Sequence, residues 1–166
     1  MHGKTVDNSA QHLPQATGLI AKPVEMLSLV TGDDSEKRPR GTETVLLVED
    51  EQEVRQFLGD ILRRSGYTVL EAKDGAEAVQ ISERHPNPIH LMVTDVVMPA
   101  ISGHQLVQCL TQLRPEMKIL YISGYVDDPI VSYGVLAKAV PLLPKPFSEA
   151  SLLRKVRDVL DGEHRD

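Results

Sequence analysis

The chain has 166 residues, of which 41% are hydrophobic and 25% are charged, as is ordinary for one soluble globular domain. Its formal net charge of -6 argues against nucleic acid as the main partner, because binding phosphates requires a basic surface. The acidic surplus lies entirely in residues 42–166, where 13 basic residues face 19 acidic ones, and such a segment can hold a divalent cation.

The single cysteine, Cys109, excludes an internal disulfide and a cysteine-based zinc site. It falls at helical spacing among Leu106, Leu110 and Leu113, which predicts a small buried hydrophobic residue rather than a reactive thiol. No apolar stretch approaches the roughly 20 residues of a membrane span, and the N-terminus lacks the apolar core of a signal peptide. We therefore expect a cytoplasmic protein without membrane insertion.

Residues 1–41 differ in character from residues 42–163. The first segment shows neither helical nor strand periodicity and is rich in small and polar residues, which predicts a flexible N-terminal arm or linker rather than a second domain. From Thr42 onwards, apolar runs alternate with amphipathic stretches, and this alternation predicts one folded domain.

Hydrophobic periodicity predicts five strands that alternate with five helices. Short apolar runs are typical of strands covered on both faces, and apolar residues at i, i+3, i+4 and i+7 are typical of amphipathic helices. Capping residues support three of the helices: Asp74 with Glu77, Asp128 before Pro129, and Ser148. In chain order the predicted elements are a strand at 44–48, a helix at 54–62 closed near 66, a strand at 67–70, a helix from 74 that stops before 86, a strand at 90–94, a helix at 103–113, a strand at 117–122, a helix from 128, a strand at 140–143 and a helix from 148.

This order predicts a parallel sheet with helices on both faces, because each strand–helix–strand connection crosses over in the right-handed sense. A flavodoxin-like, doubly wound α/β fold with five parallel strands in the order 2-1-3-4-5 and five helices fits the length best. In that order the chain reverses direction between the first and third strands, and ligands bind in the crevice there. These two strands end at Glu49-Asp50 and at Asp95, so the fold and the residues predict the same site.

Glu49, Asp50 and Asp95 would bring three carboxylates to one edge of the sheet. Their charges repel one another unless a cation lies between them, and Mg²⁺ suits the position because it binds one or two carboxylates together with waters and phosphate oxygens. The alternative is that Glu49 and Asp50 only place favourable charge at the start of the first helix. The position of Asp95 at the adjacent strand end favours the metal site.

The other strand ends carry groups suited to phosphoryl chemistry. Asp95 is the candidate nucleophile, since a carboxylate that attacks phosphorus forms an acyl phosphate. Lys145 and the metal would neutralise the phosphoryl oxygens, and the Ser123 hydroxyl could donate a hydrogen bond to one of them. Gly124 is expected to leave the approach open. A cis bond between Lys145 and Pro146 would aim the ammonium inward, although most such bonds are trans.

Four spaced motifs occupy these strand ends. They are VLLVEDE at 45–51, TDVVMP at 94–99 with Ser102-Gly103, ILYISGY at 119–125 and LPKPF at 143–147. Together they resemble the receiver domain of two-component response regulators, and the resemblance covers about residues 43–161. The residues of these motifs are most similar to those in the receivers of hybrid sensor histidine kinases, although free-standing receivers share them.

The resemblance implies a phosphorelay function that depends on Mg²⁺. The phosphoryl group would come from a phosphohistidine on a sensor histidine kinase or a histidine phosphotransfer protein, and the output would be contact with a downstream protein or onward phosphotransfer. The implied site residues are Asp95 as the phosphorylated residue; Glu49, Asp50, Asp95 and the backbone carbonyl of Val97 as Mg²⁺ ligands; Ser123 and Lys145 as phosphoryl-binding residues; and Gly124 and Pro146 as supporting residues.

Several positions differ from common members of the family. Glu49 stands where many relatives have Asp, and its longer arm is expected to reach the ion. Leu142 stands where the family has its switch aromatic, so an aromatic switch on that strand is not expected. Val97 and Tyr125 are bulky and follow the phosphoacceptor and hydroxyl positions by two residues, where they predict slow hydrolysis of the phosphoryl group.

Rival functions fit the pattern less well. An aspartate-nucleophile phosphohydrolase carries a second acid two residues after the nucleophile, where this chain has Val97. A phosphate-independent protein-binding module would not need the complete set of site residues. A kinase is not expected, since His85, His90 and His104 lie outside any phosphoacceptor motif; the first and last are expected on the surface and His90 at a strand start. We therefore expect a phosphoacceptor without a separate catalytic output domain, not an enzyme.

Overall fold

The computed structural model describes residues 40–98, 102–124 and 140–162. The strands are β1 (Thr44–Val48), β2 (Thr68–Ala72), β3 (Leu91–Asp95), β4 (Lys118–Ser123) and β5 (Leu142–Pro144). The helices are α1 (Gln52–Arg64), α2 (Gly75–Arg84), α3 (Gly103–Leu113) and α4 (Glu149–Asp161). Within these ranges no helix has the length and apolar character needed to cross a membrane. The predicted helix from Asp128 and the bulky Tyr125 lie outside the described residues.

The strands form one parallel sheet in the order β2-β1-β3-β4-β5. In the middle of the sheet, Val45 of β1 pairs with Val69 of β2 on one side and with Leu91 of β3 on the other. The predicted flavodoxin-like, doubly wound order is therefore confirmed. It places β1 and β3 side by side at the point where the chain reverses direction.

Alternate residues of β1 pack into two cores on opposite faces of the sheet. Val45 and Leu47 lie in a core built with α1 and α4, whereas Leu46 and Val48 lie in a core built with α2 and α3. All four side chains are at most 1% exposed. Burial of one such side chain stabilises the fold by about 1.5–3 kcal/mol, which explains why this strand has no polar alternation.

Side chains cap two of the helices at the predicted places. Asp74 Oδ1 accepts a hydrogen bond from the N–H of Glu77 at 2.8 Å, and Ser148 Oγ accepts one from the N–H of Ser151 at 3.1 Å. A cap of this kind contributes about 1 kcal/mol. The bounds of four strands differ from the prediction: β2 extends to residue 72, β5 begins only at residue 142, and β3 and β4 are each shifted by one residue.

The prediction that Cys109 is buried was wrong. The buried residues of α3 are Gly103, Leu106 and Leu110, whereas Cys109 is exposed and Leu113 is 48% exposed. With 3.6 residues per turn, the first three form one stripe along the helix, and Cys109 lies to the side of that stripe. Leu106 and Leu110 pack into the core that contains Ala78 of α2, whereas Cys109 is not part of that core.

The three histidines occupy different surroundings. His104 is exposed, as predicted. His85 is half-buried rather than on the surface, and in the described part of the chain its Nε2 has no hydrogen-bond partner. His90 lies just before β3, and its Nδ1 accepts a hydrogen bond from the N–H of Thr44 at 3.0 Å. His90 thus connects the beginnings of β3 and β1.

Ion pairs join the elements at the edge of the sheet where the strands begin, which we call the amino edge. Arg157 Nη2 of α4 lies 2.8 Å from Glu43 Oε1 and 2.7 Å from Asp161 Oδ1. Lys118 Nζ donates a hydrogen bond to the carbonyl of Leu160 at 2.7 Å. These contacts tie the last helix to the beginnings of β1 and β4.

Two glycines permit a close approach of the chain before β1 to the turn before β2. The N–H of Gly41 donates a hydrogen bond to the carbonyl of Ser65 at 3.1 Å. Gly66 has a φ of 98°, in the left-handed region, and a Cβ on it would overlap the carbonyl oxygen of Gly41. A Cβ on Gly41 would overlap the ring of Tyr67. The chain is therefore fixed at residue 41, before the first strand begins.

Candidate functional site

The candidate site lies at the edge where the strands end, which we call the carboxyl edge. β1 pairs with β3, and the end of β3 pairs with β4, so that Asp95 lies opposite Ile122. Ser123 pairs with Pro144 of β5, and its carbonyl accepts a hydrogen bond from the N–H of Lys145 at 2.7 Å. The parallel order thus gathers residues that lie tens of positions apart in the sequence.

The carboxylate of Asp95 is held by donors on both oxygens. Lys145 Nζ donates to Oδ2 at 2.9 Å, and the N–H of Val97 donates to Oδ1 at 3.1 Å. The Asp95 side chain is 15% exposed, so it lies within the edge but is open to solvent. This geometry fixes the direction of a potential nucleophile that another molecule can reach.

The ammonium of Lys145 stays charged at neutral pH. Burial alone would lower the pKa of Lys145, but the hydrogen bond and the negative charge of Asp95, assisted by Glu49, outweigh burial and raise it. The peptide bond between Lys145 and Pro146 is cis. The sequence had left this isomer open.

Glu49 is a buried carboxyl group with few partners for its charge. It is 4% exposed, and its Oε1 accepts a hydrogen bond from the N–H of Glu51 at 3.1 Å. Burial raises the pKa of Glu49 to about 7, and the acids Asp95 and Asp50 add to this against the opposing effects of the Glu51 N–H and Lys145. A cation close to Glu49 would favour its ionised form.

The three predicted metal ligands differ in exposure, since Asp50 is exposed, Asp95 is partly exposed and Glu49 is buried. In the described ranges no three His, Cys, Asp or Glu side chains are arranged as a ready cage for a metal ion. Mg²⁺ does not require such a cage, because it keeps several waters and takes phosphate oxygens as ligands. A buried carboxyl group with a raised pKa next to two further acids is a donor set that fits this ion.

The residues around the path by which a phosphoryl group would reach Asp95 are small or at least partly exposed, apart from the buried Ser123. Ser123 is buried at the end of β4, and Gly124 beyond it is exposed. A Cβ on Gly124 would lie 3.6 Å from Cδ of Lys145, an ordinary contact, so the protein itself has room for alanine there. The side chain of Val97 is 59% exposed, and Leu142 is half-buried.

Arg55 and Glu71 belong to this edge and were missed in the sequence. Arg55 Nη1 of α1 donates hydrogen bonds to the carbonyls of Glu49 at 2.6 Å and of Asp50 at 3.3 Å. Its Nε lies 3.8 Å from Oε2 of Glu71, next to the end of β2. The only signal in the sequence was a charged residue in the otherwise apolar strand β2, and it did not indicate a partner.

A family model described as the response regulator receiver domain matches residues 45–157. The chain belongs to the response regulator receiver family. The predicted resemblance is therefore confirmed, and the matched region contains the receiver without a catalytic output domain. Receivers of this family generally bind Mg²⁺ and interact with histidine kinases or phosphotransfer proteins.

Relatives with this receiver include proteins of very different length. The sensor kinase CckA of Brucella abortus (strain 2308) is 39% identical over 123 residues, which are 74% of this chain and 13% of that protein. The response regulator receiver protein CpdR of the same organism is 30% identical over 116 residues, which are 70% of this chain and 95% of that protein. This chain thus spans nearly all of CpdR and a small part of the sensor kinase.

Solved receiver structures share the fold. The receiver domain from the hybrid histidine kinase CckA superimposes with a TM-score of 0.60 at 36% identity, covering 70% of this chain and 98% of that one. A receiver domain protein from Clostridium thermocellum gives a TM-score of 0.65 at 23% identity, covering 73% of this chain and 96% of that one. Both coverages correspond to a single receiver domain.

Proposed function

We propose that this receiver accepts a phosphoryl group on Asp95 from a phosphohistidine of a sensor histidine kinase or a histidine phosphotransfer protein. The observation that carries this proposal is the Asp95 carboxylate, held between the ammonium of Lys145 and the N–H of Val97 at an open edge of the sheet. Output then follows by contact with a downstream protein or by transfer to another histidine.

In the proposed reaction an oxygen of Asp95 attacks phosphorus, and the bond between phosphorus and the imidazole nitrogen breaks. The imidazole leaves with the electron pair of that bond, and the product is an aspartyl phosphate. Lys145 moves from its contact with the free carboxylate to the phosphoryl oxygens, whose charge it neutralises. The hydroxyl of Ser123, at the end of β4, donates a hydrogen bond to another of these oxygens.

The residues proposed to hold Mg²⁺ are the carboxylates of Glu49, Asp50 and Asp95 and the backbone carbonyl of Val97. When bound, the ion supplies positive charge to the phosphoryl oxygens. Glu49 supports this assignment most strongly, because burial raises its pKa to about 7, whereas Asp95 has the ammonium of Lys145 at 2.9 Å. Gly124 and Pro146 support the site by flanking the hydroxyl and the ammonium.

The proposal extends to the organisation of the chain. Residues 42–163 form the receiver domain, and residues 1–41 act as an arm or linker. The protein works in the cytoplasm, where its phosphodonor is made from ATP. Within the region that the family model matches, the receiver promotes its own phosphorylation and dephosphorylation and has no separate catalytic output domain.

The test is phosphorylation by a panel of purified histidine kinases and by a small phosphodonor such as acetyl phosphate, with Mg²⁺. Intact mass should show one added phosphoryl group on the parent and none on Asp95→Asn. Asp60→Asn is the matched control, because Asp60 is an exposed aspartate on α1. Equal labelling of Asp95→Asn would overturn the site. A parent that no donor labels would support the phosphate-independent binding module instead.

A further inference from the structure

The backbone of the turn that carries Glu49 and Asp50 is bound by the side chain of Arg55. Arg55 Nη1 donates to both backbone carbonyls of this turn, at 2.6 Å and 3.3 Å. The Arg55 side chain is only 15% exposed. Hydrogen bonds from a charged donor are stronger than neutral ones, so this contact restricts the turn more than an ordinary turn hydrogen bond does.

The guanidinium of Arg55 is itself held by β2. Oε2 of Glu71 lies 3.8 Å from Nε of Arg55. Oε1 of Glu71 is bound by Arg63, which lies two turns after Arg55 on α1. Glu71 lies directly over Gly59, where a Cβ would come within 2.6 Å of Oε1. The lack of a side chain at Gly59 therefore allows Glu71 to reach both arginines.

β2 also holds the other side of the same turn. The N–H of Glu49 donates a hydrogen bond to the carbonyl of Ala72 at 3.1 Å. Glu71 and Ala72 are the last two residues of β2. One acts through Arg55 on the carbonyls of Glu49 and Asp50, and the other acts directly on the N–H of Glu49.

We propose that Arg55 is a positioning residue for the divalent cation: it fixes the backbone from which Glu49 and Asp50 extend, and Glu71 orients it. This inference rests on the proposed function, because it takes these two acids as cation ligands. Arg55 does not touch the ion or the phosphoryl group. Its role is to hold the carboxylates in one arrangement before the ion binds.

Lysine at position 55 should not replace arginine in this role. The planar guanidinium offers several donors in fixed directions and can contact two carbonyls and Glu71 together, whereas an ammonium is a single point on a flexible chain. Residues that orient metal ligands typically change metal affinity by 10–100-fold when they are replaced. Because Arg55 acts through the backbone, we expect the lower end, about 10-fold weaker Mg²⁺ binding in Arg55→Lys.

The experiment measures the Mg²⁺ dissociation constant by titration calorimetry on the full chain. Parent, Arg55→Lys and Arg55→Gln are compared, with Arg63→Gln as the matched control, because Arg63 binds the same Glu71 without reaching the turn. Both Arg55 variants should bind Mg²⁺ about 10-fold more weakly, and Arg63→Gln should bind it like the parent. Glu71→Gln should change affinity in the same direction by less. Thermal unfolding without Mg²⁺ identifies any variant that fails to fold. If Arg55→Gln does not fold, the Mg²⁺ affinity of Arg55→Lys tests the inference.

Two results would overturn the inference. One is an Arg55→Lys protein that binds Mg²⁺ with parental affinity, and the other is an equal loss in Arg63→Gln, which would show a general effect of disturbing Glu71. The proposed function is judged separately, by labelling of Asp95. Weaker Mg²⁺ binding in the Arg55 variants supports the inference even if no kinase labels the protein, and a labelled parent with unchanged Mg²⁺ affinity in the variants removes the inference alone.

Discussion

At the carboxyl edge of the sheet, burial raises the pKa of Glu49 to about 7, whereas at the amino edge the hydrogen bond from Arg157 lowers the pKa of Glu43. The two glutamates lie on either side of β1, one just before it and one just after it. Glu43 has its cation within the protein, at 2.8 Å. The charge of Lys145 also acts on Glu49, but its ammonium is bound to Asp95.

The difference shows that the charge of Glu43 stabilises the folded state, whereas the charge of Glu49 does not. A carboxylate paired inside the protein stabilises the folded state when it is ionised, because its folded pKa is below its unfolded value. A buried carboxylate without a close cation of its own does the reverse, and its charge becomes favourable only when a cation arrives. Substitutions at the two edges should therefore have different effects.

The largest effect is expected from Lys145→Met at the carboxyl edge. Without the ammonium, the oxygens of an incoming phosphoryl group lose their positive partner, so labelling by a small phosphodonor should slow about 100-fold. Intact mass against time gives the rate. Lys118→Met is the matched control and should keep the parental rate, since Lys118 binds the carbonyl of Leu160 at the amino edge. Equal labelling rates in the parent and in Lys145→Met would contradict the role of Lys145 in neutralising the phosphoryl oxygens.

Glu49→Gln should stabilise the protein when Mg²⁺ is absent. Because the pKa of Glu49 rises from 4.5 to about 7 on folding, the folded state binds more protons, and stability falls as pH rises through this window. At pH 8 the neutral amide should therefore raise the free energy of unfolding by about 2 kcal/mol.

Urea unfolding at pH 8 and at pH 4 measures this difference, which should vanish at pH 4 because the parent is then protonated too. Glu83→Gln, at an exposed position of α2, serves as the control and should change little. A Glu49→Gln protein that is less stable than the parent at pH 8 would contradict the assignment of Glu49 as an uncompensated charge.

Glu43→Gln should have the opposite sign. The pKa of Glu43 is lowered, first by the hydrogen bond from Arg157, so its contribution is present above the unfolded pKa near 4.5 and is lost as pH falls through the lower folded value. At pH 7 the variant should lose about 1 kcal/mol, or about 4 °C in melting temperature. Thermal unfolding in strong acid should show no difference, and an unchanged midpoint at pH 7 would refute the prediction.

The smallest effect is expected at Val97, which is already 59% exposed and contributes little to packing. An amide in Val97→Asn could orient water near the aspartyl phosphate, so the phosphoryl group should be lost about threefold faster, equivalent to about 0.7 kcal/mol in the barrier. Timing the loss of added mass after the donor is removed measures the half-life. An identical half-life in parent and variant would dismiss slow hydrolysis as a property of Val97.

The residues of the carboxyl edge could be predicted largely from the sequence, because a parallel sheet brings the ends of its strands to one edge. Once the apolar run of β1 indicated a two-sided strand, Glu49 and Asp95 had to end on the same edge as Ser123 and Lys145. What could not be predicted was how each acid is buried. Asp50 is exposed beside the buried Glu49, and this depends on the direction of one turn rather than on spacing.

Contacts between helices and strands could also not be predicted from the sequence. Cys109 was predicted on the wrong face because its spacing from the leucines of α3 did not show which of them are buried, and the structure buries Leu106 and Leu110 but exposes Leu113. Arg55 could not be linked to Glu71, since nothing in their separation along the chain marks an ion pair between a helix and the neighbouring strand. Such pairs follow from the register of β2 beside β1.

The close packing of Gly41 against Gly66 determines the side from which the chain enters the receiver. β1 has five residues, so at about 3.3 Å per residue the entry point lies roughly 17 Å from the edge that carries Asp95. Residue 41 therefore joins the domain at the edge of the sheet opposite the one that carries Asp95.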